Sequence, residues 1–207
     1  MNKLAVFDFD STLMQGETIE IIAQSLGIHE KIAEMTQSAM RGEIDFFESL
    51  TARVAMLKGL EEEKVNRICQ NLPYTKGAKE TIAALKAKGY TVLCFSGGFK
   101  NATVPAKSVL GYDEDFSNIL HSKNDILTGL VGGEMMFSDS KGHMLQKLQK
   151  ILNVTPENTI TVGDGANDLS MFKYAKTRVA FCAKDILKKE ADIIIGEKDL
   201  TLLLSSI

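Results

Sequence analysis

Apolar and polar positions follow two regimes along the chain. Residues 3–9 form a short apolar run, and from about residue 76 onward such runs alternate with stretches of helical spacing. "YTVLCF", "TITVG", "RVAFC" and "ADIII" read as buried strands. Residues 76–88, about 99–110, "KGHMLQKLQKIL", "DLSMFKYA" and "DILKKE" read as helices, with Met144, Leu145, Leu148, Ile151 and Leu152 on one face of the third. Gly89 and Gly111 suit the left-handed position that ends a helix. "LTGLVGGEMM", between Asn118 and Phe137, reads as a hairpin that turns at or near Gly132 and Gly133. From about residue 17 to 71 the spacing is helical throughout. Its three stripes are Ile19, Ile22, Ala23 and Leu26; then Phe46, Leu50, Val54 and Leu57; then Leu60, Val65, Ile68 and Cys69. Pro73 and Gly77 close that block.

Strands alternating with helices predict an α/β fold, a Rossmann-like parallel sheet covered on both faces. The helical block interrupts the alternation right after the first strand, so it reads as an inserted helical-bundle cap. The expected division is a core of residues 1–14 and 75–207 and a cap of residues 15–74. Ligands of such sheets bind at the carboxyl ends of the strands.

Composition narrows the function classes. The chain has 207 residues, 44% hydrophobic and 25% charged, enough apolar material for a core. A net charge of −3 argues against a nucleic-acid partner. No apolar run approaches the ~20 residues that span a bilayer, and the stretch before Asp8 is too short for a signal peptide. Cys69, Cys94 and Cys182 are an odd set without paired spacing, which suits reduced thiols and a cytoplasmic protein. The first strand begins almost at Met1, so no regulatory region is expected ahead of it.

Three loops carry the candidate chemistry: "DFDST" after the first strand, "SGG" after "YTVLCF" and "GDGAND" after "TITV". They supply Asp8, Asp10, Asp164, Asp168, Ser96 and several glycines, and Lys141 opens the helix leading to the third loop. Carboxylates gathered on one edge repel unless a cation joins them. An all-oxygen set without Cys or His favours a hard ion such as Mg²⁺. Ser96 and the Gly97 and Gly98 amides could donate to an oxyanion, and Lys141 adds a positive charge; metal, lysine and hydroxyl suit a transferring phosphoryl group. Taken singly, Ser96 and Asp168 also suit helix caps, and Lys141 a solvated surface position. Within the helical block, Arg53 shares a face with Phe46, Leu50 and Leu57. A guanidinium in an apolar stripe is costly unless it meets an anion, either a ligand carboxylate or an acid of the core. Cys94 in "CFSGGFK" is followed at the sixth position by Lys100, not the Arg of cysteine phosphatases, and reads as a buried thiol.

Together "DFDST", "SGG", Lys141 and "GDGAND" resemble the four motifs of the haloacid dehalogenase superfamily of phosphotransferases. The resemblance implies Asp8 as the nucleophile that becomes an aspartyl phosphate and Asp10 as the general acid and base. It implies Mg²⁺ held by Asp8, the Asp10 carbonyl and Asp164, with Asp168 supporting it through the ion's water shell. Ser96, Gly97, Lys141 and Asn167 would bind the phosphoryl group, Glu17 the substrate ammonium and Arg53 its carboxylate. Met40 and Phe46 would close the pocket, although both also suit plain packing, and Glu17 suits an ordinary first-turn acid. The implied substrate is the small molecule O-phospho-L-serine, hydrolysed to serine and phosphate as the last step of serine biosynthesis by a monomer or homodimer with no membrane partner. Two rivals remain: transfer of the phosphoryl group to another alcohol such as homoserine, or hydrolysis of a different phosphomonoester; and a receiver-like module that keeps its phosphoaspartate.

Overall fold

The computed structural model describes residues 2–207. Its strands are β1 (Lys3–Asp8), β2 (Tyr90–Phe99), β3 (Glu114–Lys123), β4 (Ile126–Gly133), β5 (Thr159–Gly163), β6 (Thr177–Phe181) and β7 (Ile193–Ile195). Among the described residues they form one seven-stranded sheet in the order β4-β3-β2-β1-β5-β6-β7. All neighbours run parallel except β3 and β4. The α/β class is as the alternation predicted.

The central strand shows why apolar runs were legible here. Leu4 and Val6 face one packed layer; Ala5 and Phe7 face the other. A strand covered on both sides has no solvent face to mark with polar residues. One layer takes α7 (Ser140–Leu152), α8 (Leu169–Phe172) and α9 (Asp185–Lys188) through Leu145, Met171 and Leu187. The opposite layer takes α5 (Ala78–Ala87) and α6 (Lys100–Leu110) through Ile82, Leu85, Ala102 and Ala106.

The stretch between β1 and α5 holds α1 (Thr18–Gln24), α2 (His29–Met40), α3 (Phe46–Ala55) and α4 (Glu62–Cys69). That is one helix more than the three predicted stripes. The buried positions of α2 are Ile32, Thr36, Ala39 and Met40, and Thr36 hides the periodicity. Leu26, placed in the first stripe, lies beyond the end of α1 and is 39% exposed, because residues 25–27 turn back on Ile22, Ala23 and Gln24. The block is joined to the sheet by adjacent backbone crossings: the Gln15 N–H donates to Pro73 O at 2.8 Å and the Thr75 N–H to Leu13 O at 2.9 Å. A second link pairs the Gly59 N–H with Leu127 O and the Leu127 N–H with Leu60 O.

The hairpin reverses at Asn124 and Asp125, not at Gly132 and Gly133. Both turn residues have positive φ, 52° and 61°, with Lys123 opposite Ile126. A two-residue loop of that kind matches the strand twist, and Asn and Asp tolerate the left-handed region. Gly133 instead ends β4 against Asn118, where a Cβ would lie 2.7 Å from the Asn118 Cα.

Candidate active site

The register brings three loops to one edge of the sheet. Asp8 ends β1 opposite Phe95, one residue before Ser96. Phe7 lies opposite Val162, so Asp8 continues beside Gly163 and just short of Asp164. β2 slips register against β3 between Phe95 and Phe99, across the "SGG" run. After β1 the backbone turns sharply: Asp10 is extended and Ser11 adopts φ 57°.

The acidic edge is densely bonded. Lys141 Nζ lies 2.7 Å from Asp8 Oδ1 and 2.6 Å from Asp168 Oδ1, and is 2% exposed. Asp8 Oδ1 also accepts from the Phe9 N–H. Asp168 Oδ2 accepts from the Asp164 and Gly165 N–H groups. Oxygens of Asp8, Asp164 and Asp168 lie within 4.8 Å of one another. That donor set is all oxygen, as a hard divalent cation requires. Both Asp168 oxygens already have partners, and Asp164 is buried beside them.

Burial, and after it the Asp168 charge, push the Asp8 carboxyl up to about 7 against the pull of Lys141. Burial and the Asp8 charge hold Asp164 well above the usual carboxylate range. Burial disfavours the Lys141 ammonium, but Asp168 and Asp8 outweigh it and raise its pKa. Three buried carboxylates with a single ammonium are short of positive charge, and the residues fit a divalent cation.

Asp10 is held by the start of α1. Its Oδ1 accepts from the Thr18 N–H at 2.9 Å and the Thr18 hydroxyl at 2.5 Å. Burial raises its pKa, while the Thr18 bonds restrain the rise. Ser96 is fully buried, and its Oγ accepts from the Gly98 N–H at 2.9 Å. The Gly98 amide is therefore already bonded within its own turn, which corrects the expectation that both glycine amides donate to a ligand. A Cβ on Gly98 would lie 2.8 Å from Asp10 Oδ2.

Above this edge is a narrow pocket lined by Asp8, Asp10, Glu17, Arg53, Gly97 and Asn167, among others. Met40 and Phe46 form part of its wall: a Cβ on Gly165 would lie 2.8 Å from Met40 Sδ, and one on Gly97 2.6 Å from Phe46 Cζ. Asn167 Oδ1 is buried without a hydrogen-bond partner. Glu17 is the N-cap residue of α1, outside the helix rather than in its first turn, and is 7% exposed. Burial and then the Asp10 charge lift its pKa well above the usual range, although the Ser11 hydroxyl donates to it at 2.8 Å. Arg53, 3% exposed, donates through Nε to Ser49 O and through Nη1 to Thr36 Oγ1. Among the described residues no carboxylate lies within ion-pair distance of Arg53. Burial lowers its pKa despite the nearby charges of Glu17, Asp10 and Glu20.

A family model described as haloacid dehalogenase-like hydrolase matches residues 2–176. The chain belongs to the haloacid dehalogenase-like hydrolases. Within that family it is similar to a phosphoserine phosphatase of Wolinella succinogenes, 59% identical over 203 residues and 98% of each chain. A phosphoserine phosphatase of Methanocaldococcus jannaschii is 47% identical over 205 residues, 99% of this chain and 97% of that one. A solved phospho-aspartyl intermediate analogue of phosphoserine phosphatase superposes with a TM-score of 0.96 at 47% identity, covering 100% of this chain and 99% of that one. A substrate-bound phosphoserine phosphatase complex superposes equally well at 46% identity over the same shares.

In this hydrolase several site neighbours went unforeseen. Thr18 anchors Asp10, Ser11 meets Glu17, and Thr36 meets Arg53. Asn118, fully buried, donates to Gly97 O at 3.1 Å and exchanges hydrogen bonds with the Met135 backbone. Only Thr36 left a trace in the sequence, as a polar residue at i+4 spacing between Ile32 and Met40.

Proposed function

We propose that the chain is a Mg²⁺-dependent phosphoserine phosphatase that hydrolyses O-phospho-L-serine to L-serine and phosphate, the last step of serine biosynthesis in the cytoplasm. One observation carries the substrate reading: a buried guanidinium without a carboxylate partner shares a pocket with Glu17 and Asp8. A ligand bearing a carboxylate, an ammonium and a phosphate would complete all three positions. The named relatives support the same substrate. Among the described residues no helix is long and apolar enough to cross a membrane.

The proposed steps use the chain's own groups. Asp8 attacks phosphorus, and the bond from phosphorus to the serine oxygen breaks as Asp10 protonates that oxygen. Its raised pKa favours the protonated form this step needs. Asp10, now ionised, takes a proton from a water that attacks the aspartyl phosphate, releasing phosphate and regenerating Asp8. Splitting the reaction replaces one difficult displacement with two easier ones. Lys141, Ser96, Gly97 and Asn167 are assigned to the phosphoryl oxygens. Asp8, the Asp10 carbonyl and Asp164 would hold the divalent cation, with Asp168 positioning them through Lys141 and the Asp164 amide. When bound, the cation would supply positive charge that keeps Asp8 ionised and offsets charge on the phosphoryl oxygens. Residues 15–74 act as a cap whose Met40 and Phe46 exclude water from the pocket.

The test is phosphate release from O-phospho-L-serine by the purified protein, with Mg²⁺ or excess chelator, and with homoserine added as a competing acceptor. Turnover that needs Mg²⁺ and yields free phosphate supports the proposal. Turnover unaffected by chelator overturns the metal assignment, and phosphohomoserine as the product overturns hydrolysis.

A further inference from the structure

We propose that Thr36 is a positioning residue for substrate selection: it fixes the Arg53 guanidinium in the orientation that receives the substrate carboxylate. The assignment rests on the reading of Arg53 given above. Thr36 is fully buried and is not among the residues lining the pocket. Its hydroxyl has one hydrogen, donated to Ile32 O at 2.9 Å, one turn back on α2. The lone pairs are thereby left for Arg53 Nη1, also 2.9 Å away. A β-branched side chain that bonds back to its own helix has little rotational freedom, so the acceptor is held in place. Ser49 O, one turn before Arg53 on α3, takes Nε at 3.2 Å. Two acceptors from two helices fix the plane of the guanidinium. Its remaining N–H groups are left for a ligand.

The arrangement is more than local support. α2 also carries Met40, one turn beyond Thr36, packed closely against Gly165 in the Asp164 loop. α2 therefore sets the distance between the carboxylate subsite and the acidic edge. Arginine gains its advantage as a carboxylate receptor from its rigid fork. A fork free to rotate loses affinity through the ordering it must then undergo on binding. Thr36→Val keeps the branched shape and removes the acceptor. Losing one immobilising contact is expected to raise KM for O-phospho-L-serine about three- to tenfold, with kcat within about twofold, because the bond serves ground state and transition state alike.

The experiment compares O-phospho-L-serine with O-phosphoethanolamine, which keeps phosphate and ammonium and lacks the carboxylate. If turnover of the latter is too slow, its Ki as a competitor replaces KM. Thr36→Val and Thr36→Ala are each expected to lower the phosphoserine preference about three- to tenfold, while Thr36→Ser restores it. The alanine variant keeps the test valid should valine not fold, and thermal melts of each variant report folding. An unchanged preference in folded Thr36→Val or Thr36→Ala overturns the assignment. Arg53→Ala, run in parallel, separates the two failures. If Arg53→Ala abolishes the preference and the Thr36 variants do not, only the Thr36 assignment fails. If Arg53→Ala leaves the preference intact, the carboxylate reading fails and the Thr36 assignment fails with it.

Discussion

The two walls of the pocket treat charge in opposite ways. On the sheet edge, Lys141 bridges Asp8 and Asp168, and backbone amides donate to Asp8 Oδ1 and Asp168 Oδ2. On the helical side, Glu17 and Arg53 are as deeply buried, yet among the described residues neither has an ion-pair partner. The edge is largely organised before any ligand arrives, so charge developing on a phosphoryl group would meet groups already in place. The helical wall, on the proposed reading, would be completed by a ligand with matching ends. Chemistry is therefore assigned to rigid strand termini, and selection to side chains whose burial is compensated on binding.

The largest expected effect tests the sheet edge. Asp8→Asn preserves shape and removes the proposed nucleophile; phosphate release should fall by about 10⁴-fold or more, since loss of a nucleophile removes the covalent route. A rapid-quench assay with radiolabelled substrate should find no phosphoprotein. Residual turnover within about tenfold of the parent would show that the edge does not act through Asp8.

Next comes the helical wall. Arg53→Ala should lower kcat/KM for O-phospho-L-serine by roughly 10²-fold, the scale of a charge-assisted bidentate contact. The variant should melt at or above the parent temperature, because removing a buried charge that has no ion-pair partner relieves its desolvation. Melting and activity together sharpen the contrast: the same change on the edge, Lys141→Ala, should lower both, since it strands Asp8 and Asp168 without their counter-ion.

How far these walls could be read in advance follows from where their information lies. The strands and the "DFDST", "SGG" and "GDGAND" loops are contiguous in sequence, so apolar runs ending in small and acidic residues announced them. Arg53 was visible because a guanidinium interrupts an apolar stripe. The bonds that aim these groups join residues remote in the chain, such as Thr36 with Arg53 and Asn118 with Gly97. No periodicity encodes such pairs. α2 was lost inside the helical block because Thr36 sits where an apolar residue was expected. The hairpin was misplaced for a different reason: two glycines drew the turn toward them, yet Asn124 and Asp125 adopt the positive φ values the two-residue loop needs.

A smaller effect is expected where the two loops of the edge meet. Gly98→Ala would put a methyl 2.8 Å from Asp10 Oδ2 and 3.0 Å from Ser96 Oγ. Asp10 is tied to Thr18 and cannot withdraw without breaking those bonds. We expect kcat to fall about tenfold, the scale of a displaced general acid, with KM nearly unchanged. A fall in KM-dependent terms alone would instead mean that Gly98 shapes the substrate pocket.

The smallest effect concerns stability, and it separates the walls by pH. The Asp8 carboxyl stands at about 7 in the folded chain against an ordinary value of 3.8. A carboxyl raised in this way stabilises the metal-free fold fully below the unfolded value, and that contribution is lost as pH rises through about 7. Asp164 and Glu17 are shifted in the same direction. The metal-free protein should therefore melt lower at pH 8 than at pH 5. A divalent cation binds the ionised carboxylates, so Mg²⁺ should stabilise more at pH 8 than at pH 5. At about 100 times its Kd, Mg²⁺ should raise the melting temperature at pH 8 by roughly 5–10 °C. Asp8→Asn should flatten the pH dependence of the metal-free melts and shrink the Mg²⁺ increment. Glu17→Gln should flatten the pH dependence in part and leave the Mg²⁺ increment standing, because the proposal assigns Glu17 to the substrate rather than to the ion. Equal Mg²⁺ increments at both pH values would break the comparison, since the acidic edge would then not be where the ion binds.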